Sequence, residues 1–385
     1  MTEARLQHTP FHEVIAPLNK AQAWERWQGY ATVTHFYDAA QEYAAIRNNA
    51  SLYDISPMLK YRVAGRDAAR FINRLVTRDI DRCRPGRCFY TPWCDGAGHI
   101  IEDGTIFRFA EDLFQINCAE HNLTWFRATA EGLEVEIEDV SEQIAALSLQ
   151  GPLSREVLLR AGVAEAESLR YFGLVRTRLD DIALTVTRTG FTGDLGYELW
   201  VEADRAVDLW QRLMAAGGDR GITPIGATAL NIARLEAGHI QVHSEYQDAR
   251  TSVDIEEMRS PFELGLEWAV DFRKDHFNGR RALLEQKRRG GPRLRLVGLE
   301  VPGRRPAVDS VLYRGRRVVG QTTAAVWSPL LKKSIALALI ESPWSAVGTE
   351  LQAEIYFRRE LRLLRSDETA RVVPHRFIDL PRRRA

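Results

Sequence analysis

The sequence predicts an α+β protein, with a ferredoxin-like layer in its first half and a small β-barrel or sandwich at its C-terminal end. Three observations carry this. At 385 residues the chain exceeds what one ordinary core organises, so two or three domains are expected. Across residues 58–140 the pattern reads strand, helix, strand, strand, helix, strand. Beyond about residue 285 short β-type runs (294–300, 310–313, 317–320, 334–340, 351–357, 360–364) are divided by Gly and Pro, with Gly290-Gly291-Pro292 as a linker before them.

In order, residues 1–34 read as irregular and aromatic-rich, with Trp24, Trp27 and Tyr30 around Gly29. A helix follows over 39–48, then strands over 52–56 and 58–64 on either side of Pro57. Asp67 is the candidate N-cap of a helix over 68–75. Residues 87–94 and 99–109 form a hairpin, because Asp95-Gly96-Ala97-Gly98 supplies turn chemistry. A strand at 112–118, a helix from Asn122 to Thr129 and a strand at 135–138 complete the layer. The strand 145–150 ends at Gly151-Pro152, and Ser154 is the candidate N-cap of the helix after it. A strand at 184–189 leads into a glycine-rich turn, 190–196. Helices at 206–216 and 227–237 stop at glycines, Gly238 being a good helix-terminating residue.

Composition narrows the class. With 45% hydrophobic and 27% charged residues the chain is a globular protein. Lys+Arg and Asp+Glu both total 52, so no net field draws it to nucleic acid or anionic lipid. The basic run Arg382-Arg383-Arg384 reads as a solvated end. No stretch approaches the roughly 18–20 apolar residues of a membrane span, and the polar N-terminus lacks a signal-peptide core, so a cytoplasmic location is expected. The four cysteines match no zinc or disulfide spacing and read as reduced thiols. No metal site is expected; His239 and His243 stand four apart but follow a helix-stopping glycine.

Two stretches carry candidate chemistry. In the hairpin, Glu102-Asp103 sits between β-forming residues and before Gly104. Alone, it reads as two charges turned to water, with a site as the alternative. The glycines at 190, 193 and 196 have the wrong spacing for a dinucleotide loop, and Tyr197-Glu198-Leu199-Trp200 continues as a strand. That turn would present Tyr197 and Glu198, and a buried glutamate can accept two N–H donors from one side of a heterocycle. Alone, Glu198 reads as a surface charge, with the ring-binding acid as the alternative. Arg234, near a helix end, could fork onto a carboxylate or ring oxygen or pair with its neighbours. There is no nucleophile elbow, Walker loop or metalloprotease motif.

Taken together, the segments LYDISPM (52–58), DGAGHIIED (95–103), INCA (116–119), LQGP (149–152), TGFTGDLGYE (189–198), RLEAG (234–238), FNGRRAL (277–283), Ser328-Pro329 and IALA (335–338) resemble the folate-binding aminomethyltransferase family, which includes the T-protein of the glycine cleavage system and tetrahydrofolate-dependent demethylases. The resemblance spans about residues 36–372. It implies a three-domain cloverleaf around a central folate channel. The division would be 1–57 with 141–225, 58–140 with 226–285, and a barrel over 286–385. By position, Asp103 matches the family's catalytic aspartate and Glu198 the acid that binds the pterin ring. Met58, Tyr90 and Asn117 match channel-lining positions, Arg234 matches the motif arginine, and Tyr197 joins the cofactor-binding set. Tetrahydrofolate is the implied cofactor.

The chain departs from the T-protein pattern on the donor side. Pro57 replaces a histidine, Leu230-Asn231 stand where Arg and Asp would be, and Gly104 replaces an aliphatic residue. These departures point to a tetrahydrofolate-dependent methyl transferase or demethylase acting on a small methylated amine, sulfonium or ether. The alternative is the glycine cleavage T-protein itself, whose partner would be a lipoyl carrier protein. A second alternative is a non-enzymatic folate-binding protein of iron–sulfur cluster maintenance, whose K-G-C-Y-x-G-Q-E motif is only partly echoed at Arg87-Cys88-Phe89-Tyr90.

Overall fold

The structure, a computed structural model, describes residues 6–384. Two sheets and a barrel organise it. The first sheet has six strands, in the order Leu174–Leu179, Ile182–Thr187, Gly196–Glu202, Ile144–Gln150, Ala50–Asp54, Ile222–Pro224, with only the last pair parallel. One face packs under the helices Ser154–Ala161 and Ala206–Gly217, where Leu147, Leu149, Leu199 and Trp210 are buried. The second sheet has five antiparallel strands, ordered Arg87–Cys94, Ile100–Arg108, Leu113–Cys118, Leu59–Ala64, Glu136–Asp139. Its helices Ala68–Leu75 and Leu123–Thr129 cover Val63, Ile106, Phe114 and Ile116. The ferredoxin-like layer thus carries one strand more than the simple pattern: Leu113–Cys118 enters between the hairpin and Leu59–Ala64. Strands 294–301, 333–341, 317–328, 311–314, 350–359 and 362–373 close into a barrel, which settles barrel over sandwich.

The uncovered faces of the two sheets meet. Phe107 and Trp200 cross edge to face at 5.2 Å, among Tyr53, Ile55, Cys88 and Ala146. The sheet edges are stitched as well, since Cys88 N donates to Phe172 O and Leu174 N to Gly86 O.

Several local expectations need correction. Asp67 does not cap its helix; its carboxylate accepts from Glu134 N at 2.9 Å. Leu153, not Ser154, occupies the N-cap, and the Ser154 hydroxyl turns to Leu195 O. The stretch read as irregular holds a hairpin, Ala23–Trp27 with Tyr30–His35, turned on Gln28 and Gly29, both at positive φ. The basic C-terminus is not a solvated run. Arg382 grips the fully buried Asp194 with two bonds of 2.6 and 2.9 Å, and Arg383 donates to the Tyr171 hydroxyl.

A buried polar node joins the units. Glu236 accepts from Arg47 at 2.6 Å, from the Tyr43 hydroxyl at 2.6 Å and from the barrel's Ser328 hydroxyl at 2.5 Å. Arg47 also reaches Asp194 at 3.2 Å. Ser328→Ala removes the barrel's bond to a buried carboxylate and is expected to cost about 1.5–3 kcal/mol, read as a lower urea midpoint. An unchanged midpoint would show that the barrel seats without it. Among the described residues no helix is long and apolar enough to cross a membrane.

Candidate active site

Strand periodicity decides which side chains enter the space between the sheets. On Ile100–Arg108, beyond the bulge at Ile101, the odd positions Asp103, Thr105 and Phe107 face the first sheet, and Glu102 and Ile106 face the helices. Asp103 is only partly buried in a strand whose ends are buried. Its carboxylate accepts hydrogen bonds from the Tyr246 and Tyr90 hydroxyls. Burial pushes its carboxyl above the ordinary 3.8; the two tyrosines pull it back and the Glu245 charge raises it further. Tyr246 is 2% exposed and comes from the loop after the helix Ala227–Ala237. Sequence reasoning missed it, for 143 residues separate it from Asp103 and no local pattern marks it.

Glu102, left without a role by the sequence, points the opposite way and is 1% exposed. It accepts from the Ala119 and Glu120 backbone N–H groups and from the Asn122 amide. It fixes the loop after Cys118 and takes no part in the cleft.

Glu198 lies across the cleft on Gly196–Glu202, partly buried between buried neighbours. Its Oε2 accepts from the Thr189 hydroxyl at 2.6 Å, and Thr187 bonds it as well. Burial raises its carboxyl, the two threonine hydroxyls lower it, and no cation among the described residues contributes. Its place relative to Asp103 follows from the edge strand Arg87–Cys94. The Cys88 thiol is pushed up by burial, then by Cys83 and by the charge of Glu198, so Glu198 lies near Cys88. Tyr90, which holds Asp103, is the next residue on the same face, about 7 Å along the strand. Asp103 and Glu198 are thereby placed toward the same region between the two sheets.

Met58 is half-buried and packs against the Tyr53–Trp200 cluster between the sheets. Asn117 shares the Asp103 face but is fully buried. Its Oδ1 accepts from Gln115 at 2.6 Å, so it backs the cleft rather than lining it. Two expectations fail. Tyr197, next to Glu198, must point to the other sheet face; it is fully buried in the core, its hydroxyl donating to Ala166 O at 3.0 Å. Arg234 is 2% exposed and spends its donors on Asn231, His239 O, Ser244 and Glu245, the last at 2.8 Å. It has no open fork for a ligand. It pins the loop that delivers Tyr246, with Glu245 and not Glu236 as its partner. His239 is held by Phe191 O and stacked on Phe191, while His243 is half-exposed.

Gly104 has a packing reason. A Cβ there would lie 2.4 Å from Asn117 O and 3.0 Å from the Trp93 ring. Trp93 fills the space an aliphatic side chain would need, so this departure reports on the sheet and not on the donor.

Comparison with known proteins agrees with this architecture over the whole length. Residues 8–274 match the model of the GCVT N-terminal domain, and residues 295–379 that of the glycine cleavage T-protein C-terminal barrel domain. An aminomethyltransferase of Desulfitobacterium hafniense (strain Y51) is 32% identical over 364 residues, covering 92% of this chain and 95% of that protein. An aminomethyltransferase of Caldanaerobacter subterraneus is 32% identical over 356 residues, covering 91% and 92%. The solved fold of glycine cleavage system aminomethyltransferase T from Bartonella henselae superposes with a TM-score of 0.85 at 23% identity, covering 97% of this chain and 98% of that one. The chain belongs to the glycine cleavage T-protein family.

Proposed function

We propose that the chain is a tetrahydrofolate-dependent one-carbon transferase, and that its donor is an aminomethyl group of the kind its relatives' name, aminomethyltransferase, implies. The observation that carries the reading is Asp103: a half-buried carboxylate held by two tyrosine hydroxyls, across a cleft from an acid with no counter-ion. The residues suit a reduced folate. Oε2 of Glu198 is bonded by Thr189, and the carboxylate still has acceptor sites for adjacent N–H groups of a pterin. Bound there, the folate supplies the nucleophilic ring nitrogen that accepts the one-carbon unit.

The chain's own residues do the rest. Glu198 orients the ring and Met58 supplies an apolar wall. Asp103 lies where positive charge develops and stabilises it, and it takes the proton the nitrogen must release. Tyr90 and Tyr246 keep that carboxylate aimed and ionised. Closely packed sheets restrict the reactants to a near-attack arrangement. In the three-unit division proposed from sequence, this cleft lies between the first two units.

Relatives support the aminomethyl donor over the small methylated donor suggested by sequence departures, one of which Trp93 now explains. Pro57 and Leu230-Asn231 still favour that second reading. One assay separates them. The purified chain is given tetrahydrofolate with either an aminomethylated lipoyl carrier protein or dimethylated amines, sulfonium compounds and aryl methyl ethers. 5,10-Methylenetetrahydrofolate from the carrier supports the main reading, and 5-methyltetrahydrofolate from a small donor the second. No folate binding at all would sink both.

Tyr246→Phe tests the hydroxyl pair. Losing a hydrogen bond to a charged group should lower kcat about 10- to 100-fold. Because the Tyr246 bond lowers the Asp103 pKa, its loss moves the acid limb of the pH–rate profile to higher pH. An unmoved limb would confine Tyr246 to packing.

A further inference from the structure

At the rim of this cleft a guanidinium stands without an acidic partner among the described residues. Arg78 follows the helix Ala68–Leu75 and is half-buried. Its plane is clamped by aromatic rings, with the guanidinium carbon 3.8 Å from the Phe89 centroid and 5.3 Å from that of Trp268. Nη1 donates to Tyr90 O at 3.0 Å, on the edge strand of the second sheet, where outer backbone groups need partners from elsewhere. Its surroundings work against its charge. Burial lowers its pKa, the Cys83 thiol raises it in part, and Arg82 lowers it again. Arg47, Arg234 and Arg382, by contrast, lean on Asp or Glu. Arg78 keeps N–H donors in hand, in a fixed orientation.

Its position gives those donors a meaning. Trp268 is 61% exposed and stacks on Tyr90, with centroids 6.0 Å apart. Tyr90 in turn bonds Asp103. The series Arg78, Trp268, Tyr90, Asp103 therefore runs from solvent to the reacting centre. Arg78 contacts the backbone of Tyr90 and Asp103 the tip of its ring, so one tyrosine length plus two hydrogen bonds, on the order of 10 Å, separates guanidinium from carboxylate.

We propose that Arg78, held by Phe89 and Trp268, binds a carboxylate of the ligand whose reacting end lies at Asp103, and that this carboxylate is the glutamyl arm of the folate. The assignment rests on the folate reading above. A small methylated amino acid carries its carboxylate within two or three bonds of the methyl group and cannot bridge the interval. A reduced folate carries its glutamate beyond an aminobenzoyl spacer, which can. A planar, preoriented guanidinium suits bidentate carboxylate binding, and a flat aromatic beside it suits the aminobenzoyl ring.

The test compares two probes by isothermal titration: tetrahydrofolate, and 6-methyltetrahydropterin, which has the same ring without aminobenzoylglutamate. Arg78→Gln should weaken tetrahydrofolate binding about 10-fold or more and leave the pterin unchanged, with Arg78→Lys falling between. A thermal melt of each variant checks folding. Equal losses on both probes would make Arg78 a prop for Tyr90 and overturn the proposal. So would unchanged tetrahydrofolate affinity, including the case where only the KM of a carboxylated donor rises, which would place the guanidinium on the donor. If the wild-type chain binds neither probe, the folate reading itself fails and this assignment with it.

Discussion

Asp103→Asn should abolish turnover while leaving folate in place. The amide keeps the shape and can still bond Tyr90 and Tyr246, but it carries no charge and accepts no proton. Loss of a general base costs about 10²–10⁴-fold in kcat, and loss of charge stabilisation adds to that. A Kd for tetrahydrofolate within about threefold of wild type, with product formation down at least a thousandfold, is the expected pair of results. Undiminished turnover would remove Asp103 from its role. A stability effect of opposite sign accompanies this. The folded-state pKa of Asp103 lies above its ordinary 3.8. The native state therefore holds its proton more tightly than the unfolded chain, and the ionised carboxylate costs folding free energy at neutral pH. That cost fades as pH falls through the folded pKa toward 3.8. Asp103→Asn should thus melt higher than wild type at pH 7 and show little gain near pH 4. Activity and stability are in opposition at this residue.

Glu198→Ala should act on binding. Two N–H bonds to a desolvated carboxylate, each about 1.5–3 kcal/mol, correspond to at least a hundredfold in Kd. Glu198→Gln should lose nearly as much, because its amide presents a donor where the pterin also donates. Since burial already holds the Glu198 carboxyl above its ordinary 4.5, folate affinity should fall as pH is lowered toward that raised pKa, where the carboxyl takes up a proton. Equal affinity in wild type and Glu198→Ala, measured at saturating protein, would end the pterin assignment.

Most of the architecture was legible because its signals are local. The Asp95–Gly98 turn, the glycine-punctuated barrel strands and Gly238 each declare themselves within a few residues. What was not legible depends on which face of a strand is covered. Glu102 and Asp103 are adjacent carboxylates, and Tyr197 and Glu198 adjacent candidates; a period of two sends one of each pair into a core. Only the partner layers decide which. Of the residues the family resemblance named, Asp103 and Glu198 are half-buried and Tyr197 is turned into the core. Arg234 was visible as a motif, but its partner Glu245 lies on a loop whose course no spacing reveals. The first hairpin escaped because Gln28, not Asn or Asp, takes the first positive-φ position of its turn.

The two arginines around Asp194 have a consequence for how the chain comes to be folded. Arg47 is made before Asp194 and Arg382 long after it, and the acid between them is sealed from water. During synthesis Asp194 has one counter-charge for the 188 residues of elongation that separate it from Arg382. Glu236 likewise waits for Ser328. Nascent chains halted between residues 285 and 382 hold the strands of both sheets but an unfinished node. Protease resistance of the Gly190–Gly196 turn should therefore appear late and abruptly, once Arg382 has been made.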